Sequence, residues 1–594
     1  MKIGIDFDRV LFDTDGFKKN LTEKFPEFNE TYDQAKKDNY YNLEKHAKLL
    51  GVEEEKLLAE MRKCEEYLYS DVEKLEKLKD KHELIIVTRG DPVLQKEKLE
   101  YSGALEYFDG YEIVTDGSKD VRGIDFLVDD WKEELERIDL PGLLIDRQKE
   151  GMEKVIEYLN IPEYKKVFKR YDVRGKYPEE VNEYFAYRLG RSVAKLVRKR
   201  TWEKQVVVCK DPKETSDNLK KSLIRGIKNG GVYVVDSGTG STDYLAFSSV
   251  EENSVGIQVT SSHMKLEFNG FKLVYPEGNG FMNKDLDCLK QIFRENSFQR
   301  EEDGAEIEKT YYSKYLDAAE DFTLKHFQDT ERKIVLDNLG GIKSSRAGEL
   351  LETLGAEVIN LSGDKPKIDP PDPKPENLRH IERKVEETGS DMGIATDMDA
   401  DRIAIYYQDE WLSGDEIFAV LIEVMKPEKV VASIDSTEII EETAEKHGEI
   451  EYTQVGDPFV IDRTIGTGAK LSGEPNGHYC FTQFVPYNSG TLAAAMIAGS
   501  NLNEIKKKLP DISIMKKSIE VDDKYSSMEK VKKEVKKRFK IISEIDGIKF
   551  QTDNSRVLIR SSGSSHKLRI TAESNTEKGA ENVLKKSEKL IQNT

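Results

Sequence analysis

"RKIVLDNLGGIKSSRAGELLETLGAEVINLSG", residues 332–363, is one copy of a pattern that decides the fold. A β-rich apolar run leads into a polar loop, an amphipathic stretch of helical period, a glycine stop and a second apolar run. The unit recurs as "QVVVCKDPKETSDNLKKSLIRGIKNGGVYVVDSG" from Gln205 and as "EKVVASIDSTEIIEETAEKHGEIEYTQVG" from Glu428. The helix stops are Gly230-Gly231, Gly355 and Gly448, expected as left-handed C-caps. Strand, helix, strand predicts a βαβ unit with a right-handed crossover and a largely parallel sheet. Three units predict three related α/β domains, spaced far too widely for a solenoid.

Outside these units the pattern changes. Near the start, "KIGIDF", "ELIIVTRG", "FLVDD" and "GLLIDR" are apolar strands alternating with helical stretches, which predicts another α/β domain. Residues 16–80 are charged and helix-favouring, a helical insertion, and "RQKEGMEKVIEYLNIPEYKK" bridges to the rest. Towards the end, "GIKFQTDNSRVLIRSSGSSHKLRITAES" reads as strands and turns before a terminal helix. The expected layout is a domain over 1–152, a linker over 153–162, α/β domains over 163–300, 301–405 and 406–510, and an α+β domain over 511–594.

Hydrophobic residues make up 37% and charged residues 35%, but the apolar ones are organised in periodic segments, so folded domains are expected. A net charge of −21 argues against nonspecific nucleic-acid binding and against an anionic membrane surface, and requires any phosphate site to be locally basic. Cys64, Cys209, Cys288 and Cys480 form no CxxC pair and read as reduced core thiols. No apolar run approaches 18 residues and the start "MKIGIDFD" is no signal peptide, so a cytoplasmic protein is expected.

"DMDADR", 397–402, places Asp397, Asp399 and Asp401 at alternate positions before Arg402. In an extended segment these carboxylates share one face. An EF-hand is excluded, since Arg402 and Gln408 stand where it needs Gly and Glu. Three hard oxygens without nearby His or Cys suit magnesium, with Arg402 placed for an arriving phosphate. Spacing alone leaves open a solvated acidic turn. Three further loops carry chemistry: "VTSSHMKLEFNGFK" (259–272) with Ser262 and His263, "GEPNGH" (473–478) with Glu474, Asn476 and His478, and "RSSGSSHKLR" (560–569), two arginines around a Ser/Gly nest suited to phosphate.

In this order the four loops resemble the α-D-phosphohexomutases: phosphoglucomutases, phosphomannomutases and phosphoglucosamine mutases. The resemblance covers 163–594 and begins at "FKRYDVRGKYPEE", which carries Arg174. "TSSHMK" is similar to the family's T-A-S-H-N-P, "DMDADR" to D-G-D-A-D-R, "GEPNGH" to G-E-x-S-G-H, and "RSSGSSHKLR" to R-x-S-G-T-E-P-x-L-R. The resemblance implies interconversion of hexose 1- and 6-phosphates through a phosphoserine at Ser262. It implies magnesium on Asp397, Asp399, Asp401 and the phosphoserine, with Arg174, His263 and Arg402 at the site. Lys272 and His478 would move protons, Glu474 and Asn476 would bind sugar, and Arg560, Ser562, Gly563, Ser564 and Arg569 would cradle the other phosphate. A glucose 1,6-bisphosphate-type activator is implied too. The chain departs from the pattern at "HMK" after Ser262, at Asn476, and at Lys213 in "DPKETS", where an arginine is usual. The sugar stays open among glucose, mannose and glucosamine.

"GIDFDRVLFDTD", 4–15, resembles the first motif of the haloacid dehalogenase hydrolases, D-x-D-G-T/V-L-x-D-T. That resemblance implies a Rossmann-like domain with a helical cap, Asp6 as nucleophile, Asp8 as general acid–base, and Thr88 and Lys119 as the next motifs. "FLVDD", with Asp129 and Asp130, would be the last motif, and a second magnesium would sit on Asp6, Asp8 and Asp130. Arg9 stands where glycine is usual. Three other readings compete: a scaffold binding sugar phosphates with degenerate sites, an N-terminal domain that is inactive and structural only, and a hydrolase acting on nucleic acid, which the negative charge disfavours. Partners are expected to be small sugar phosphates, and the chain a monomer or homodimer.

Overall fold

Three consecutive sheets of the computed structural model repeat one plan. The structure describes the chain except residues 38–39, 116, 120, 122, 139, 161–163, 296–297, 299–300, 328–329, 342–344, 553, 563–565 and 594. In the second of the three sheets, Glu357–Asn360, Lys333–Asn338 and Met392–Thr396 run parallel, then Ile403–Tyr407 and Glu410–Trp411 antiparallel. In the third, Glu449–Thr453, Lys429–Ser433 and Leu471–Gly473 are parallel, then Tyr479–Phe481 and Val485–Asn488 antiparallel. In the first, Glu306–Glu308, Tyr233–Thr239, Gln205–Lys210 and Val255–Val259 are parallel, with Phe268–Val274 and Val173–Lys176 antiparallel. Helices Glu214–Asn229, Ala347–Thr353 and Glu438–Glu445 make the crossovers.

The sheets are therefore mixed where largely parallel ones were expected. Each parallel half ends in a hairpin, which needs only a short loop, whereas another parallel strand would need a further crossover. The hairpin connections 260–267, 397–402 and 474–478 occupy the same place in the three sheets. Three of the four loops singled out in the sequence are thus one structural position, repeated. The strand Glu306–Glu308 joins the first sheet beyond residue 300, and Glu410–Trp411 joins the second beyond 405. Of the glycine stops, Gly231 and Gly355 have the expected positive φ, 72° and 93°. Gly448 serves close approach instead, since a Cβ there would lie 2.0 Å from the Glu428 carbonyl oxygen.

The second and third sheets share one hydrophobic core, into which the helix Gly490–Gly499, "GTLAAAMIAG", is sunk. The C-terminal sheet is antiparallel, in the order Ser513–Glu520, Lys567–Ser574, Ser555–Ser561, Ile548–Gln551, Lys540–Ser543. Helices Lys524–Lys536 and Glu577–Gln592 complete it, and Arg556 ties it to Glu438 and Glu441 of the third unit.

The N-terminal sheet is wholly parallel, in the order Gly110–Val114, Glu83–Arg89, Lys2–Ile5, Phe126–Asp129, Gly142–Leu144. Short helices, including Thr14–Lys24, Phe28–Tyr32, Leu43–Leu49 and Glu54–Met61, fill the expected insertion, together with a small two-stranded pair at 36–41. The core of this sheet includes Tyr184 from the helix Glu183–Lys199 of the following domain. Asp125 accepts hydrogen bonds from Lys2 N and from the Tyr187 hydroxyl, both at 2.9 Å, so polar contacts back the apolar junction. Among the described residues no helix is long and apolar enough to cross a membrane.

Candidate active site

The strand Val255–Val259 runs out at Thr260, and the chain turns through Ser262, whose φ of 52° is a left-handed conformation unfavourable for a residue with a Cβ. The loop is pinned from behind. Ser261 N donates to Asp211 Oδ2 at 3.2 Å and Ser262 N donates to Thr260 Oγ1 at 2.8 Å. The Lys213 ammonium donates to the Phe268 carbonyl at 2.5 Å and to the Leu266 carbonyl, so the residue in the usual arginine position clamps the far side of the loop. Ser262 Oγ, in a residue 2% exposed, lies 3.2 Å from His263 Nδ1 and donates to Asp397 Oδ2 at 3.3 Å. Burial, then Arg402 and Arg174, push the His263 imidazole far down, so it is neutral.

Asp397, Asp399 and Asp401 sit in a tight hairpin, not in the extended segment their spacing suggested. Ala400, with φ 53°, reverses the chain. Met398 and Ala400 are fully buried, and the three carboxylates gather with oxygens within 4.8 Å of one another. Lys272 Nζ bridges Asp399 Oδ2 at 2.6 Å and Asp401 Oδ2 at 2.5 Å. Asp399 Oδ1 is buried with no hydrogen-bond partner among the described residues, and Asp401 Oδ1 faces His478 Nε2 at 3.3 Å, off the hydrogen-bond direction. Burial, then Asp401 and Asp399, hold the Asp397 carboxyl well above its ordinary range, a cost that a further cation would relieve. An all-oxygen donor set with an orphaned buried carboxylate oxygen fits a hard divalent ion such as magnesium.

The third loop faces the first two. Glu474 Oε1 accepts from Gly456 N at 2.8 Å, and Glu474 Oε2 lies 3.4 Å from His478 Nδ1. Burial disfavours a charged imidazole, but Asp401 and Glu474 outweigh it and push His478 up to about 10. Arg402 Nε–H points at His478 Nε2 from 3.2 Å and calls for a bare nitrogen. The two carboxylates favour the charged ring and the Arg402 hydrogen bond favours the neutral one. Asn476 is exposed, and its Oδ1 accepts from His478 N at 3.2 Å. A cavity of about 120 Å³ is bounded by Arg174, Ser262, Lys272, Arg402, Asp457 and His478, among others. Arg174 is held there by Asp172 at 2.6 Å.

Arg560 and Arg569 are directly opposite across neighbouring strands. Burial, then the Arg560 charge, lower the Arg569 pKa against the pull of Asp435. Arg560 reaches Asp435 at 3.4 Å. Neither arginine lines the Ser262 cavity. Ser562 is buried, with its N–H donated to the Lys567 carbonyl at 2.9 Å, while Gly563 and Ser564 lie outside the described residues.

In the N-terminal domain the structure brings Asp6, Asp129 and Asp130 together, with oxygens within 4.8 Å. Asp6 and Asp130 of the expected set are in this cluster, Asp129 joins them, and the Asp8 carboxylate is not part of it. The Asp8 carboxylate accepts from Lys98 at 2.5 Å and from Gln95 and Thr14 at 2.8 Å each. Burial opposes its ionisation, but Lys98 and these donors win and lower it to about 2. Lys119 Nζ bridges Asp6 Oδ1 at 2.7 Å and Asp129 Oδ2 at 2.8 Å. Burial pushes the Asp6 carboxyl up to about 8 against the pull of Lys119, with Asp129 adding to the rise. Thr88 Oγ1 is buried without a partner among the described residues, at the end of Glu83–Arg89. These groups stand at the carboxyl ends of parallel strands, where α/β sheets bind ligands.

Several contributors to these sites stand outside the four loops. Thr242 Oγ1 donates to Asp399 Oδ2 at 3.0 Å across 157 residues, Asp457 and Tyr487 line the Ser262 cavity, and Tyr171 packs over Gly456. Only Tyr171 carried a signal, lying inside the "RYDVRG" segment.

Four family models match in order: "Phosphoglucomutase/phosphomannomutase, alpha/beta/alpha domain I" over residues 165–300, domain II over 312–410, domain III over 413–517, and the C-terminal domain over 517–589. The chain belongs to the phosphoglucomutase/phosphomannomutase family, the α-D-phosphohexomutases, and is an isomerase of that type. A "Probable phosphoglucosamine mutase" of Methanosarcina barkeri is 31% identical over 430 residues, covering 69% of this chain and 95% of the relative. A "Phosphoglucomutase/phosphomannomutase" of Thermococcus kodakarensis is 28% identical over 449 residues, covering 72% and 98%. The crystal structure of a phosphoglucomutase/phosphomannomutase family protein from Burkholderia thailandensis shares the fold, with a TM-score of 0.64 at 22% identity, covering 72% of this chain and 97% of that one.

Proposed function

We propose that this phosphohexomutase interconverts glucosamine 1-phosphate and glucosamine 6-phosphate, with Ser262 as phosphoryl carrier. The observation that carries the carrier role is the Ser262 hydroxyl, buried and strained, 3.3 Å from the first carboxylate of a cation-ready triad. The sugar preference is supported by Asp457, which starts the helix Asp457–Thr467 on the cavity wall, makes no hydrogen bond or ion pair among the described residues, and is pushed up to about 6 by burial against the pull of His478 and Lys272, a rise that a further cation would relieve. An unpaired carboxylate favours a sugar that carries an ammonium group. Several archaeal relatives carry the name "Probable phosphoglucosamine mutase".

The Ser262 phosphoryl group passes to the free hydroxyl of the hexosamine phosphate. The bond from Ser262 Oγ to phosphorus breaks, the bond from the sugar oxygen forms, and the hydroxyl proton leaves to a side chain. After the bisphosphate turns over, its other phosphoryl group returns to Ser262 and the freed sugar oxygen takes a proton. Lys272 and His478 are the proton carriers on the cavity wall, help typically worth ~10²–10⁴-fold. Arg174 and Arg402 face the reacting phosphate, and Arg560 and Arg569 with Ser562 suit the distal one. Magnesium held by Asp397, Asp399 and Asp401 would neutralise charge on the transferring phosphoryl group. A hexose 1,6-bisphosphate activator would restore the phosphoserine when the intermediate escapes. Coupled assays on glucosamine, glucose and mannose phosphates test the preference, which fails if kcat/KM for glucosamine 1-phosphate is not the highest.

A second reading concerns the N-terminal domain. We infer a phosphomonoester hydrolase of haloacid dehalogenase type, supported by the cluster of Asp6, Asp129 and Asp130 with Lys119 across it and by the unpaired Thr88 hydroxyl. Asp6 attacks phosphorus, and the departing alcohol takes a proton through the Asp8–Lys98 pair. Water then adds to phosphorus, returns a proton to that pair and releases Asp6 and inorganic phosphate. The carboxylate cluster would hold a magnesium ion against the phosphate charge. Asp6→Asn should end phosphate release and leave mutase turnover intact.

A further inference from the structure

The N-terminal site opens into a cavity of about 530 Å³, whose far wall the hydrolase reading leaves unexplained. That wall comes from the helical insertion, with Phe17, Leu21, Phe28, Tyr32 and Met61 among its residues. Phe28 and Tyr32 have ring centroids 6.1 Å apart, and Tyr32 stacks on Tyr41 at 5.1 Å and 24°. The Tyr41 hydroxyl is engaged within the insertion, 2.8 Å from His46 Nδ1, and His46 Nε2 is 2.9 Å from Thr31 Oγ1. The wall therefore offers aromatic and aliphatic surface and few hydrogen-bonding groups. Its cations are Lys36, which is paired with Asp33 at 2.6 Å, and Lys18, whose Nζ lies 3.7 Å from the Tyr32 ring centroid with no carboxylate in ion-pair contact among the described residues.

A hexose pressed against this wall would leave several hydroxyls without water or a partner, each at a cost. A flat heteroaromatic ring would lose little and gain stacking, and Lys18 could meet its carbonyl or ring acceptors. Resting on the hydrolase reading above, we propose that this cavity takes phosphomonoesters whose leaving group carries a flat aromatic ring, nucleoside monophosphates being the class. The hexose phosphates of the mutase are then not its substrates, and the two active sites of the chain serve separate substrate pools.

The test measures inorganic phosphate release by the full-length chain carrying Ser262→Ala, so that phosphoserine turnover contributes nothing. The substrates are the nucleoside 5′-monophosphates, glucosamine 6-phosphate, glucose 6-phosphate and glycerol phosphate, with magnesium. Nucleoside monophosphates should exceed the hexose phosphates at least tenfold in kcat/KM. Tyr32→Leu and Lys18→Ala should each raise KM for nucleotides severalfold and leave glycerol phosphate, too short to reach the wall, unchanged. Lys18 is only half-buried, so its loss keeps the fold even if Tyr32→Leu does not. Hexose phosphates hydrolysed as well as nucleotides, in a reaction that Asp6→Asn abolishes, would overturn the substrate class and leave the hydrolase reading standing. No Asp6-dependent release from any of these esters would overturn both.

Discussion

The Ser262 hydroxyl donates to Asp397 Oδ2 at 3.3 Å across 135 residues of chain. The contact joins the hairpin of one sheet to the same hairpin of the next, and the third hairpin closes the site through His478, 3.3 Å from Asp401. Repetition of one topology thus brings a serine, a carboxylate triad and an imidazole to one point.

If a divalent ion on the triad carries transition-state charge, Asp399→Asn should lower kcat roughly 10²-fold or more while KM changes little. EDTA should abolish turnover and magnesium restore it. Turnover that survives chelation would contradict the assignment.

Lys213 holds the Ser262 loop through the carbonyls of Leu266 and Phe268. Lys213→Ala should cost about 2 kcal/mol of stability and lower kcat as well, because the loop that aims Ser262 loosens. Lys213→Arg should recover most of the rate. An alanine variant with wild-type kcat would show that the clamp does not position the serine.

Arg560→Ala should raise KM for the 1-phosphate and the 6-phosphate alike, by about tenfold or more, since a cradle for the distal phosphate meets either isomer. A change confined to one isomer would refute a shared cradle.

His82 is buried against Tyr184 at the junction of the N-terminal domain, with Nε2 3.5 Å from the tyrosine hydroxyl. Burial, then the Met1 amino group and Arg188, lower its pKa from 6.5 to about 3. The unfolded chain therefore takes up this proton first. The stabilisation is complete above pH 6.5 and is lost as pH falls from there towards 3. At pH 5 the loss from this group is about 2 kcal/mol. Thermal unfolding at pH 5 and pH 7.5 should show a smaller difference for His82→Gln than for the wild type, and equal differences would contradict the account.

Much of this was legible in the sequence, for identifiable reasons. The three strand–helix–strand units could be read because apolar period and glycine stops are local. The mixed sheets could not, since a hairpin and a crossover can follow the same apolar strand. The carboxylates of "DMDADR" were right as a cluster and wrong as an extended run, because Ala400 adopts a left-handed turn that no residue type there signals. Asp8 joined Asp6 in the expected metal set through the motif resemblance, but its carboxylate is engaged by Lys98, Gln95 and Thr14, and the first two, 90 and 87 residues on, leave no local trace. Asp457 and Thr242 were missed for the same reason.

The most direct test of the central claim is site-resolved mass spectrometry of the protein during turnover on glucosamine 1-phosphate and its 1,6-bisphosphate. The account predicts one phosphoryl group, on Ser262, that exchanges with substrate at a rate no slower than kcat, and a Ser262→Ala variant with neither the group nor mutase turnover. Full turnover by Ser262→Ala, or a phosphoryl group that sits on another residue and exchanges at kcat, would contradict it.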